Sequence, residues 1–102
     1  MRNVVLLCLD TVRKDYFDEH APRLRERADL NFAQCRAASS WSVPSHASMF
    51  TGELANEHGI HTHNRDFGTL SRQDTFFGDI PDHRALGTSA NVWAGSSFGF
   101  DS

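Results

Sequence analysis

Residues 4–9, Val4-Val5-Leu6-Leu7-Cys8-Leu9, form an unbroken apolar, partly β-branched run that ends on the carboxylate of Asp10. That pattern predicts a strand covered on both faces in a parallel sheet. Residues 21–30 carry Pro22 where a first helical turn tolerates it, then Leu24 and Ala28 among charged residues, and predict a short amphipathic helix. In residues 31–38, Phe32, Gln34 and Arg36 alternate with Ala33, Cys35 and Ala37, the period of a second strand. Residues 44–50 read as a short apolar helix closed by Thr51-Gly52, with Gly52 as its C-cap. Residues 53–68 show almost no apolar period and read as an irregular loop. Leu70, Phe76, Phe77 and Ile80 are only weakly helical in spacing and stop at Pro81. Residues 85–93 look like another strand, and the Gly- and Ser-rich residues 95–102 end without a capping element, so the chain reads as cut short. Strands alternating with short helices predict an α/β fold, a parallel sheet sandwiched by helices.

Composition narrows this picture. With 102 residues, a single unit is the expected ceiling. Hydrophobic residues at 39% and charged residues at 23% argue for a globular chain over a fibrous or disordered one. A net charge of −3, with Lys and Arg scattered singly, gives no basic face for nucleic acid. The run 4–9 is far shorter than the roughly 20 apolar residues of a membrane span and too short for a signal-peptide core, which points to no membrane partner and a cytoplasmic location. Cys8 and Cys35 do not form a disulfide framework or a metal pair by spacing, and both read as buried small hydrophobes. No internal repeat or linker interrupts the chain.

Two places carry candidate chemistry. Asp10 stands at the carboxyl end of the first predicted strand, where ligands of open parallel sheets gather, and either faces a site or caps the following turn. Ser42 lies just before the predicted helix, with Pro44 fixing the first turn. A serine there is an N-cap, or the hydroxyl beside which unpaired amides and the helix dipole attract an anion. As a nucleophile it needs activation, which a divalent cation supplies by lowering its pKa and neutralising developing charge, with Asp10 as a candidate ligand.

Ser42-Val43-Pro44-Ser45-His46-Ala47-Ser48-Met49-Phe50-Thr51-Gly52 resembles the signature of the sulfatases, of the alkaline-phosphatase superfamily. These have Cys or Ser, any residue, Pro, Ser, Arg, and then a short helix ending in Thr-Gly. Residues 3–15 (NVVLLCLDTVRKD) are similar to the family's first strand with its metal-binding Asp, and Asn91-Val92-Trp93 through Phe98-Gly99-Phe100-Asp101 to the region after its next strand. The resemblance implies that residues 1–102 are the amino-terminal portion of a sulfatase-like catalytic domain that hydrolyses small-molecule sulfate or phosphate esters. It makes Ser42 the nucleophile or formylglycine precursor, and Asp10 together with Ser42 itself ligands of one divalent cation, calcium or magnesium ahead of manganese or zinc. His46 takes the place of the family's Arg.

Two departures shape the expectation. Sulfatases often have two adjacent Asp residues where this chain has Asp10-Thr11, so Thr11 is at best a hydroxyl ligand. His46 in place of Arg breaks the signature read by the formylglycine-generating machinery and favours an unmodified Ser42, better suited to phosphoryl transfer. His46 then clamps an anion only while protonated. The family completes its metal site with an Asp followed by His or Asn far downstream, so the isolated 102 residues are expected to be inactive. Their alternative is a truncated, non-catalytic remnant or pseudoenzyme. Imidazoles two apart on an extended loop can share an ion. No Cys or carboxylate spacing supports a closed site at His58, His61 and His63, and these read as loop histidines, with His61 and His63 bordering a substrate pocket. Arg13 and Asp15 either touch the site or form a surface pair, the second being the favoured reading. A third reading, a serine-hydrolase elbow, is disfavoured because Ser40, Trp41, Val43 and Pro44 leave no flanking glycines around Ser42.

Overall fold

The computed structural model describes residues 2–62 and 70–101. Where a single unit was expected, the chain divides into two, Met1–Arg36 and Ala37–Ser102.

The first unit holds α1 (Lys14–His20) and α2 (Pro22–Arg27). Asp15 in the first turn of α1 and His20 in its last turn complement the helix dipole. Lys14 pairs with Asp18 one turn on, and Arg25 approaches the same carboxylate at 3.8 Å. The Lys14 hydrogen bond, ahead of the two cations' fields, draws the Asp18 carboxyl below the usual range. Pro22 opens α2 at a position where a missing N–H costs nothing, so the helix predicted over 21–30 is realised in its middle. Arg13 and Asp15 form the expected exposed pair at 2.8 Å.

The predicted parallel sheet is absent: the described residues contain no strand, and the architecture is not α/β. Residues 4–9 are exposed, Val5 to 88%, and none of the described residues pairs with them in a ladder. An unbroken apolar run reports how strongly a segment favours leaving water, whereas a strand also requires a neighbour for its backbone groups. In residues 31–38 a turn closed by Cys35 N–H on the Phe32 carbonyl, at 3.4 Å, replaces the strand. In residues 85–93 local bonds win over a ladder. Ser89 Oγ accepts the Asn91 N–H at 2.9 Å, and Asn91 Oδ1 accepts the Trp93 N–H at 3.0 Å. Cys8 and Cys35 are exposed rather than buried; partial desolvation and then the nearby Asp10 charge push the Cys8 thiol up, which keeps it a poor nucleophile.

The second unit contains α3 (Ser42–Thr51), α4 (Ala55–His58) and three 3₁₀ turns, Arg72–Asp74, Phe76–Asp79 and Ser96–Phe98. α4 falls inside the segment expected to be wholly irregular, and the two turns 72–74 and 76–79 account for the weak helical spacing of 70–80. One face of α3, Val43, His46, Ala47 and Phe50, is buried at helical spacing. It packs with Ile60, Phe77, Ala85 and Phe98 into the core, which Leu70, Phe76, Trp93 and Phe100 border. Phe98 is fully enclosed, its ring 5.4 Å from that of Phe50, and Phe50 also meets Phe100 edge-on at 5.5 Å.

Arg72 secures this unit from outside the core. Its guanidinium donates to Asp101 Oδ2 at 2.6 Å and to the carbonyls of Ile80 and His83. The same carboxylate oxygen accepts the Ala85 N–H at 2.7 Å, and Asp101 N–H returns to the Ala85 carbonyl at 2.8 Å. The Ala85 amide foremost, then Arg72 and Arg84, hold the Asp101 carboxyl below its ordinary range. Among the described residues no helix is long and apolar enough to cross a membrane.

Candidate functional site around Ser42

α3 begins on Ser42 itself. The N-cap is Trp41, at φ −108° and ψ 140°, with no side-chain cap bond, so the N-cap role considered for Ser42 falls one residue earlier. Ser45 N–H makes the first helical bond, to the Trp41 carbonyl at 3.1 Å. Pro44 therefore occupies the last position whose N–H has no partner inside the helix. The proline fixes the first turn without removing a bond, and the amide of Val43 stays in that turn beside Ser42.

The far end of the helix closes as expected. Gly52 adopts φ 76° and its N–H returns to the Ser48 carbonyl at 2.9 Å. Thr51 Oγ1 donates to the Ala47 carbonyl at 2.7 Å and accepts the Glu53 N–H at 3.2 Å. The Thr-Gly ending is thus a stop signal built from one hydroxyl and one left-handed residue.

His46 lies beneath Ser42. Its Nδ1 is 2.7 Å from the Ser42 carbonyl oxygen. A carbonyl only accepts, so Nδ1 carries the proton. The ring sits between Phe50 and Phe98, centroids at 6.2 and 6.1 Å, and is 8% exposed. The imidazole therefore reaches Ser42 through the backbone and the core.

In the first unit, Thr11 Oγ1 donates to Asp10 Oδ1 at 3.1 Å, and both residues are exposed. Thr11 has φ 64°, a left-handed conformation that costs a β-branched residue about 1–3 kcal/mol. Both side chains carry hard oxygen atoms, and two ligands are far fewer than the roughly six that calcium or magnesium takes. Among the described residues, no three His, Cys, Asp or Glu side chains gather to hold an ion. His61 is exposed, and His63 lies outside the described residues.

In the second unit, sequence reasoning missed the pair that joins α3 to α4. Ser48, on α3, and His58, ending α4, meet at 2.9 Å between Oγ and Nε2. Comparison of the chain with protein families, with curated proteins and with solved structures finds no match.

Proposed function

We propose that this chain carries the nucleophile segment of a sulfatase-like, metal-dependent hydrolase acting on small sulfate or phosphate esters. Ser42 is the nucleophile or the formylglycine precursor. The observation that carries the reading is the fit of local structure to motif: Ser42 opens α3, Pro44 takes the last N–H-free position, and Gly52 closes the helix in the left-handed region. A hydroxyl at the first helical position stands beside amides with no partner inside the helix, at the positive end of the dipole, where a tetrahedral anion is favoured.

Asp10 and Thr11 would hold a hard divalent cation through their side-chain oxygens. Such a cation, when bound, supplies Lewis-acid activation and charge neutralisation. His46 acts as a positioning residue, fixing the Ser42 carbonyl and hence the first turn of the helix. His46 in the place of the family's arginine favours an unmodified Ser42, and with it phosphate esters over sulfate esters.

The test has two arms. The coding frame is read past Ser102 for an apolar run followed by an Asp-His or Asp-Asn pair, and the protein from that frame is assayed with aryl sulfate, phosphate monoester and phosphodiester. Mass spectrometry of the Ser42 peptide reports any formylglycine. Metal-dependent turnover that Ser42→Ala abolishes supports the proposal; turnover unchanged by Ser42→Ala, or none with any of the three esters, sinks it.

A further inference from the structure

The contact between α3 and α4 has a defined proton count. Ile60 N–H donates to His58 Nδ1 at 3.0 Å, while His58 Nε2 faces Ser48 Oγ at 2.9 Å. An imidazole nitrogen that accepts an amide hydrogen carries none of its own, so the ring is neutral and protonated at Nε2. The hydroxyl of Ser48 is the acceptor. This Ser-His pair therefore has the polarity opposite to that of a nucleophile and its base, and its bonds are structural. Ile60 is buried in the core, and Gly59 between it and His58 turns through φ 75°.

We propose that His58 is a proton-operated latch. As the neutral Nε2–H tautomer it ties the Ser48 face of α3 to the 58–60 turn, and a second proton releases that turn. Protonation places an N–H at Nδ1 directly against the Ile60 N–H, donor against donor, and the ring has no second acceptor to offer. The amide of a core residue then loses its partner, while the Nε2–H bond to Ser48 Oγ, which the protonated ring still donates, keeps the end of α4 on α3.

The surroundings add little charge to oppose this. Ser42–Thr51 contains no Asp, Glu, Lys or Arg, and its imidazole, His46, is turned into the core against Phe50 and Phe98. On α4 the Glu57 carboxylate accepts the Leu54 N–H at 2.8 Å, at the opposite end of the helix, and Glu53 stands in the connection between the helices. The latch does not depend on the chemistry proposed for Ser42 and is tested without an activity.

The experiment uses the full ¹⁵N-labelled chain. At about pH 8, above the range in which imidazoles titrate, ring-nitrogen spectra of His58 should show Nε2 protonated and Nδ1 bare. Between about pH 8 and pH 5, hydrogen exchange of the Ile60 amide, corrected for its intrinsic rate, should accelerate roughly threefold to tenfold, in step with the His58 ring titration. The Phe98 amide, bonded to the Gly95 carbonyl, serves as the core reference and should not show that step. His58→Gln, which keeps a donor for Ser48 but cannot titrate, should abolish the step. A proton on Nδ1 at high pH, an Ile60 exchange rate that does not follow the ring, or a step that survives in His58→Gln would each overturn the latch. Should His58→Gln fail to fold, the first two measurements on the unaltered chain still decide the matter.

Discussion

Replacing His46 by arginine puts a permanent charge where the structure has a ring enclosed by Phe50 and Phe98, 8% exposed. The substitution removes the Nδ1–H bond to the Ser42 carbonyl, worth about 1 kcal/mol. It also removes two aromatic contacts of about 0.5–1.5 kcal/mol each. Enclosing an unpaired guanidinium costs several kcal/mol more unless the long stem carries the charge out to water. The sum is at least about 4 kcal/mol, against a total stability on the order of 3–10 kcal/mol for a unit the size of Ala37–Ser102. His46→Arg should therefore remove at least about 4 kcal/mol, a large share of this unit's stability. His46→Phe keeps the ring volume and gives up only the Nδ1–H bond to a carbonyl that stays in the helical ladder, so its cost should be at most about 1.5 kcal/mol. Urea unfolding followed by the fluorescence of Trp41 and Trp93, both in this unit, measures the two variants. An arginine variant as stable as the parent would refute the enclosed placement of His46. It would also restore the reading in which this side chain reaches out to clamp an anion beside Ser42.

Three other outcomes follow from the same packing. Phe98→Ala should cost about 3–5 kcal/mol in urea unfolding, whereas Phe32→Ala, 70% exposed in the first unit, should stay within about 0.5 kcal/mol. Asp101 has its carboxyl held below the ordinary range by the Ala85 amide and then by Arg72 and Arg84. A depressed carboxyl stabilises the fold above its unfolded-state value and loses that contribution as pH falls through its folded-state value, so Asp101→Asn should flatten the loss of stability seen by acid titration below about pH 4. Gly52 and Gly99 both have positive φ, 76° and 85°, but an added Cβ meets nothing at Gly52 and lies 3.1 Å from the Leu70 carbonyl oxygen at Gly99. Calorimetry should find Gly99→Ala more damaging than Gly52→Ala, for which about 1–2 kcal/mol of left-handed strain is the whole cost.

The parts legible in the sequence are those fixed by neighbours. A proline early in a helix, a Thr-Gly stop and an Arg-X-Asp surface pair involve residues at most four apart, and α3, Gly52 and Arg13–Asp15 stand where that chemistry puts them. The sheet failed because alternation and apolar runs encode burial, whereas ladder partners are a long-range fact. Residues 85–93 show the contest directly, since Ser89 and Asn91 side chains satisfy the backbone amides that a strand would have paired. The Arg72–Asp101 bond spans 29 positions and the Ser48–His58 bond spans 10, and neither has a local signature.

His46 is the residue whose signal was present but outweighed. Val43, His46 and Phe50 fall at i, i+3 and i+7, the spacing of one buried helical face. The motif drew attention instead to its place four residues after Ser42. The two readings meet in one bond: the imidazole that fills the core also fixes the carbonyl of the helix's first residue. The face of α3 that holds the unit together and the end of α3 that carries the Ser42 hydroxyl are therefore mechanically joined. Any substitution that loosens Phe50, Phe98 or His46 should alter the first turn at Ser42 before it unfolds the unit, so the chemistry proposed for that hydroxyl should respond to core packing from below.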